Sequence, residues 1–186
     1  MIKVAIVGNI ASGKTQVENI LIELGYKVFD SDKIGHKLLK SSKSILDAFS
    51  SYDVLENGEI SRFKLGKLVF DDKDLRVKLE SILHPLIKKE FLNIFDENKN
   101  EKYVFISVPL LFEAGMEDVF DKILFVSSSD EIRLNRLMAR NNLTKEDTQK
   151  RLDSQHNQAD KIKHSDYILY NESTLMDLEL QIKEIF

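Results

Sequence analysis

The chain has 186 residues, 42% of them hydrophobic and 31% charged, with 27 Lys and Arg against 31 Asp and Glu for a formal net charge of −4. That balance excludes a disordered chain, which could not bury enough apolar surface to offset its ordering entropy, and disfavours a protein that wraps nucleic acid through its phosphates. With no Cys, disulfides, thiolate catalysis and Cys-ligated metals are excluded, and a reducing compartment fits.

Along the chain, short apolar runs alternate with helical periods. Ile2 to Val7 reads as a strand that ends at Gly8; Val17, Ile20, Leu21 and Leu24 then fit a helix stopped by Gly25. Tyr26 to Phe29 is a second strand, followed by Asp30. Leu75, Leu79, Ile82, Leu83 and Leu86 form a long stripe that Pro85 is expected to kink or interrupt. Asp96 to Lys102 is polar and reads as a loop, and Tyr103 to Val108, Ile123 to Val126 and Tyr167 to Tyr170 supply three more strands. Polar helices are expected over 132–140 and over 144–152, the second opened by Thr144 with Asp147 in the capping position; Leu175, Leu178, Ile182 and Ile185 make the last helix. Strands with little alternation are buried on both faces of a parallel sheet, so the fold class is α/β, three layers around a five-stranded, mostly parallel sheet. No stretch approaches the roughly 20 apolar residues that span a bilayer, and the run before Gly8 is too short for a signal peptide. One cytoplasmic domain without membrane or nucleic-acid partners is expected.

Gly8 to Thr15 reads G-N-I-A-S-G-K-T and satisfies G-x-x-x-x-G-K-[ST] without a mismatch, between a strand and a helix. In such a loop the backbone N–H groups converge on phosphates, Lys14 brings a point charge to the terminal phosphates, and the Thr15 hydroxyl can ligate Mg²⁺. ATP contacts are therefore expected over Gly8, Asn9, Ala11, Ser12, Gly13, Lys14, Thr15 and Gln16, with Thr15 as the metal ligand. Asp30-Ser31-Asp32 closes the second strand. One carboxylate could take a proton from an attacking hydroxyl while the other supports Mg²⁺ or its waters; alternatively the pair is an ordinary helix N-cap. Which of the two is the stronger base is open. Arg133, Arg136 and Arg140 fall within about 60° on one helix face. The stripe is either solvated surface, balanced by Asp130 and Glu131, or a set of guanidinium groups that closes over a transferring phosphoryl.

At this point the chain resembles the dephospho-CoA kinase family over nearly its whole length. The phosphate loop is followed by Asp30-Ser31-Asp32-Lys33-Ile34-Gly35-His36, similar to the family's D-x-D-x-I-[AG]-[RH] box; then come Ile60-Ser61-Arg62, Leu79 to Pro85, which is similar to L-E-x-I-x-H-P, and Val108 to Glu113, which is similar to P-L-L-F-E. Arg136, Arg140, Arg151 and Gln155 match its lid, and Asp166 and Asn171 its late A-D…N segment. The resemblance implies a P-loop kinase fold that transfers the ATP γ-phosphoryl to the ribose 3′-hydroxyl of dephospho-CoA, with Asp32, Lys14 and Arg140 catalytic. It implies nucleotide contacts at Arg136 and Asn171, and substrate contacts at Asp30, Arg62, His84, Leu110 and Glu113. Glu113 could hold an Arg or a water of Mg²⁺, and His84 before Pro85 is structural or catalytic. A core of about 1–34, 96–130 and 156–186, a helical substrate subdomain of about 35–95 and a lid of about 131–155 follow, as a monomer or weak homo-oligomer. The family usually has Gly where Asn9 and Ala11 stand here, so Ala11 is expected at φ < 0.

Two alternatives stand beside this reading: a kinase for another small molecule, and a GTP-dependent switch. Asp32 to Gly35 fits D-x-x-G and Asn98 to Glu101 nearly fits N-K-x-D. Against the switch, Asp32 lies only 18 residues after Lys14, and Asn98 precedes a strand instead of following one.

Overall fold

The computed structural model describes residues 1–141, 144–154 and 158–186, so Gln155 of the expected lid lies outside the described residues. Two compact units make up the chain: Met1–Phe29 with Asn98–Phe186, and Asp30–Glu97.

In the first unit, Val4 to Val7 are all at most 1% exposed. A run buried on both faces is what an inner strand of a parallel sheet requires. It lies in β1 (Ile2–Val7), whose neighbours are β5 (Tyr103–Ser107) and β6 (Lys122–Ser127), both parallel to it. β2 (Lys27–Asp30) stands outside β5, and β7 (Tyr167–Tyr170) pairs in parallel outside β6, giving the order β2-β5-β1-β6-β7. α1 (Lys14–Glu23) and α9 (Leu175–Ile185) cover one face. There Val17, Ile20 and Leu21 meet Val4, Ile6, Phe105, Leu124, Leu169, Leu178 and Ile182 in one buried cluster. Each fully buried aliphatic side chain of this cluster contributes roughly 1.5–3 kcal/mol. Ala5, Val7, Ile106 and Phe125, displaced by one residue along their strands, are buried as well, so both faces of the sheet are covered. α6 (Asp130–Asn141), α7 (Lys145–Asp153) and α8 (Gln158–Lys163) precede β7. The expected cap on α7 forms: Thr144 Oγ1 accepts from Asp147 N at 3.1 Å.

The second unit has its own core of Leu39, Ile45, Phe49, Val54, Ile60, Leu65 and Leu79. These come from α2 (Ser31–Ser41), α3 (Lys43–Ala48) and Phe49 just past it, Val54 just before a hairpin of β3 (Leu55–Glu56) and β4 (Glu59–Ile60), β4 itself, α4 (Arg62–Asp71) and α5 (Lys73–Glu97). Two sequence expectations are corrected here. Pro85 does not interrupt α5, which runs through it for 25 residues. Pro85 and Ser81, whose carbonyl loses its partner, are both exposed, so water can serve the freed acceptor. The same helix continues to Glu97, so the loop begins at Asn98 and not at Asp96. Among the described residues no helix is long and apolar enough to cross a membrane.

Candidate active site

The phosphate loop joins β1 to α1 and folds as its sequence demands, with one exception. A Cβ on Gly8 would come within 2.6 Å of Ser12 Oγ and 2.8 Å of Val126 O, so only Gly fits. Gly13 is the N-cap of α1 at φ 96°, a region costly for residues with a Cβ. The exception is Ala11, expected at φ < 0 and found at φ 61°. The loop geometry overrides the residue's preference, at a cost of about 1–2 kcal/mol. Ser12 N donates to Asn9 O at 3.1 Å, which closes the turn over Ile10 and Ala11.

Two donors at the head of α1, Gly13 N–H and Thr15 N–H, have no acceptor among the described residues. Such unspent donors at a helix N-terminus attract anions. The loop opens on a cavity of about 420 Å³ lined by Ala11 to Gln16 with Arg136 and Arg140. Its lining carries three cationic side chains and no carboxylate, in a chain of net charge −4. Lys14 Nζ donates to Gly8 O at 2.9 Å, which folds its ammonium back over the loop.

Behind the loop lies a buried polar network. Asn171 is 2% exposed; its Nδ2 donates to Ser12 O at 2.9 Å and to Gln16 Oε1 at 2.8 Å. Arg136 Nη1 reaches Ser12 O at 3.3 Å, Ala11 O at 3.5 Å and Ser128 Oγ at 3.1 Å, and its Nη2 donates to Asn171 O at 3.1 Å. Both amide protons of Asn171, an expected nucleotide contact, are committed within the protein. Arg136, an expected nucleotide contact, grips two loop carbonyls in this structure. Ser128 has no motif around it in the sequence, and only its position, just past the end of β6, could have drawn notice.

The three-Arg stripe divides. Arg136 and Arg140 line the cavity, whereas Arg133 is 4% exposed and donates to Asp130 Oδ1 at 2.6 Å. Arg133 is therefore balanced by Asp130 as expected of a surface stripe, but it is buried and not solvated.

Leu110 and Glu113 belong to the first unit but do not line this cavity. Leu110 is 60% exposed in the turn after β5. Glu113 pairs with Lys161 Nζ at 2.8 Å, so its cation is a buried Lys of α8, not an Arg. With Phe112, Glu117 and His164 they line a second cavity. In the second unit, Asp30 is the N-cap of α2: its Oδ1 accepts from Asp32 N at 2.8 Å and Lys33 N at 3.3 Å. Asp32, in the first turn, is exposed. Asp30 thus makes the N-cap that was the alternative reading of the pair. Arg62 opens α4 and is exposed, and His84 is half-buried in α5.

Asp166 is a local anchor. It accepts from Lys122 Nζ at 2.7 Å and Ile123 N at 2.8 Å, fastening the start of β7 to β6. Burial pushes its carboxyl up, but hydrogen bonds from Lys122 and Ile123 and the Lys122 charge outweigh this and hold it below the ordinary value.

Comparison with known proteins follows the same lines. The dephospho-CoA kinase family model matches residues 2–177. A dephospho-CoA kinase of Fusobacterium nucleatum is 37% identical over 178 residues, covering 94% of this chain and 92% of the relative. One from Listeria innocua is 35% identical over 185 residues, covering 96% and 92%. The solved structure of a dephospho-CoA kinase from Campylobacter jejuni superposes with a TM-score of 0.78 at 30% identity, covering 98% of this chain and 94% of that one. A shikimate kinase from Acinetobacter baumannii, at 15% identity and a TM-score of 0.57, shares the fold. Phosphate loop, cationic cleft, sheet order and these matches agree: the chain belongs to the dephospho-CoA kinase family.

Proposed function

We propose that the protein transfers the γ-phosphoryl group of ATP to the ribose 3′-hydroxyl of dephospho-CoA, giving coenzyme A and ADP. The observation that carries this is the anion cleft at the head of α1, with its unspent N–H donors and three cations, in a chain of this family. The β- and γ-phosphates rest on the loop backbone, and Lys14, Arg136 and Arg140 stabilise the charge that spreads over the equatorial oxygens. Asp32 accepts the proton of the attacking 3′-hydroxyl as the new P–O bond forms and ADP leaves. Asp30 supports Asp32 through the cap it makes on α2. The helical stretch of about 35–95, with Arg62 and His84, is assigned to the acceptor, as are Leu110 and Glu113, and residues of about 131–155 to the lid.

Thr15 lines the cleft, and among the described residues no group of three or more His, Asp or Glu could hold a metal by itself. A hydroxyl with phosphate oxygens and water suits Mg²⁺, which keeps several waters and takes few protein ligands, so the residues present fit. Held through Thr15, Mg²⁺ would supply neutralisation of phosphate charge. We place the reaction in the cytoplasm, carried out by a monomer or weak homo-oligomer.

The test is an assay with ATP and Mg²⁺ on a panel of acceptors, with phosphorus NMR to locate the new phosphate. Dephospho-CoA phosphorylated at the 3′ position is expected. Faster reaction of a nucleoside monophosphate or of shikimate would overturn the assignment of the acceptor.

A further inference from the structure

We propose that Ser128 and Asn171 are positioning residues that clamp the Ser12 carbonyl and thereby aim the Gly13 N–H into the anion cleft. The inference rests on the kinase reading only in that the loop takes a polyphosphate.

A trans peptide is planar, so its C=O and the N–H of the next residue point in opposite directions. Whatever fixes Ser12 C=O therefore also fixes Gly13 N–H. Asn171 Nδ2 at 2.9 Å and Arg136 Nη1 at 3.3 Å donate to that oxygen, and the single Ser128 hydroxyl proton is shared between it, at 3.1 Å, and Asn171 O, at 2.8 Å. A clamp is needed because Gly13 adopts either sign of φ with little steric cost; an unheld peptide would turn and withdraw its donor. The clamp stands on a rigid base. Ser128 and Asn171 are the first residues past β6 and β7, whose ends pair in register at Ser127 and Tyr170. Asn171 N donates to Ser127 O at 2.8 Å, and Ser128 Oγ lies 2.8 Å from Asn171 O. Ser128 is fully buried, beyond reach of any ligand, so its hydroxyl acts through the loop. Removing one such bond weakens a preorganised anion site without touching the anion.

Ser128→Ala removes one oxygen and leaves the packing. It should weaken binding of ATP and of inorganic tripolyphosphate by the same factor, roughly three- to tenfold, and Asn171→Ala by roughly ten- to a hundredfold. KM for dephospho-CoA should not move in either variant. Affinity is measured by calorimetry well below the melting temperature of each variant. Loss of ATP affinity with tripolyphosphate affinity intact would show that Asn171 reads the nucleoside, and would overturn the clamp. So would a lowered melting temperature with both affinities unchanged in Ser128→Ala, since the network would then be structural only. A wild-type protein that binds tripolyphosphate yet leaves dephospho-CoA unphosphorylated defeats the functional reading and leaves the clamp standing.

Discussion

Replacing Gly13 with Ala strikes the loop from two sides at once. The new Cβ would lie 1.9 Å from Asn171 Nδ2, on a residue at φ 96°. Backbone strain alone costs about 1–2 kcal/mol. The collision must displace the Asn171 amide from Ser12 O and Gln16 Oε1, and two hydrogen bonds at about 0.5–1.5 kcal/mol each add about 1–3 kcal/mol. The total is about 2–5 kcal/mol, or roughly 4–20 °C at the 2–4 °C per kcal/mol usual for a chain of this length. Gly25→Ala is the matched control. Gly25 sits at φ 89° with nothing within 4 Å of the added Cβ, so it should show only the strain and leave ATP affinity unchanged. Both variants are followed by thermal melts and by ATP titration. If Gly13→Ala costs no more than Gly25→Ala and still binds ATP normally, the Asn171 network does not constrain the loop and the reasoning fails.

Three further outcomes are expected. Lys14→Ala should lower kcat/KM by roughly 10²–10⁴-fold, because a cation on a transferring phosphoryl is worth several kcal/mol, with the melting temperature unchanged; steady-state kinetics check this, and a fully active variant would remove the phosphate-loop assignment. Asp30→Ala should lower stability by about 0.5–2 kcal/mol through loss of the α2 cap, whereas Asp32→Asn should melt like wild type and lose most of its kcat; the reverse pattern, read by melts and kinetics, would exchange their roles. Asp166→Asn should destabilise at neutral pH, and the gap should close in acid. The Asp166 carboxyl lies below its ordinary value of 3.8, so its contribution is present above that value and is lost as pH falls through the lowered one. Denaturant melts of both proteins between pH 7 and pH 3 check this; a gap constant across that range would mean the carboxylate charge is not what holds β7.

The strands were legible because an inner parallel strand needs an unbroken apolar run, and the ends of Ile2–Val7 and Tyr167–Tyr170 agree with the structure. The phosphate loop was legible because its chemistry allows few residues at fixed spacing. The conformation of Ala11 was not, since residue preference is a local prior that the closed loop overrides. The 25-residue α5 was misread at Pro85 because sequence alone does not say that the proline faces water. The hairpin at 55–60 did carry a signal in Asn57-Gly58, both at positive φ, the pair that tight hairpins favour. The roles of Asn171 and Ser128 were beyond sequence: they depend on two strand ends brought side by side, and a lone Ser carries no pattern. The pairing of Glu113 with Lys161 was not legible because the two lie 48 residues apart with nothing between them to suggest it.

The strand order has a consequence for how the chain is made. β1 is the first strand synthesised, yet both of its neighbours, β5 and β6, come from beyond residue 102. At roughly 5–20 residues per second, translation leaves β1 without a pairing partner for about 5–20 s after it emerges. Asp30–Glu97, by contrast, is one continuous stretch with its own core, complete in the nascent chain before Tyr103 is added. Once Glu97 has cleared the exit tunnel, a ribosome-bound chain would thus carry a complete helical unit behind an unpaired apolar strand.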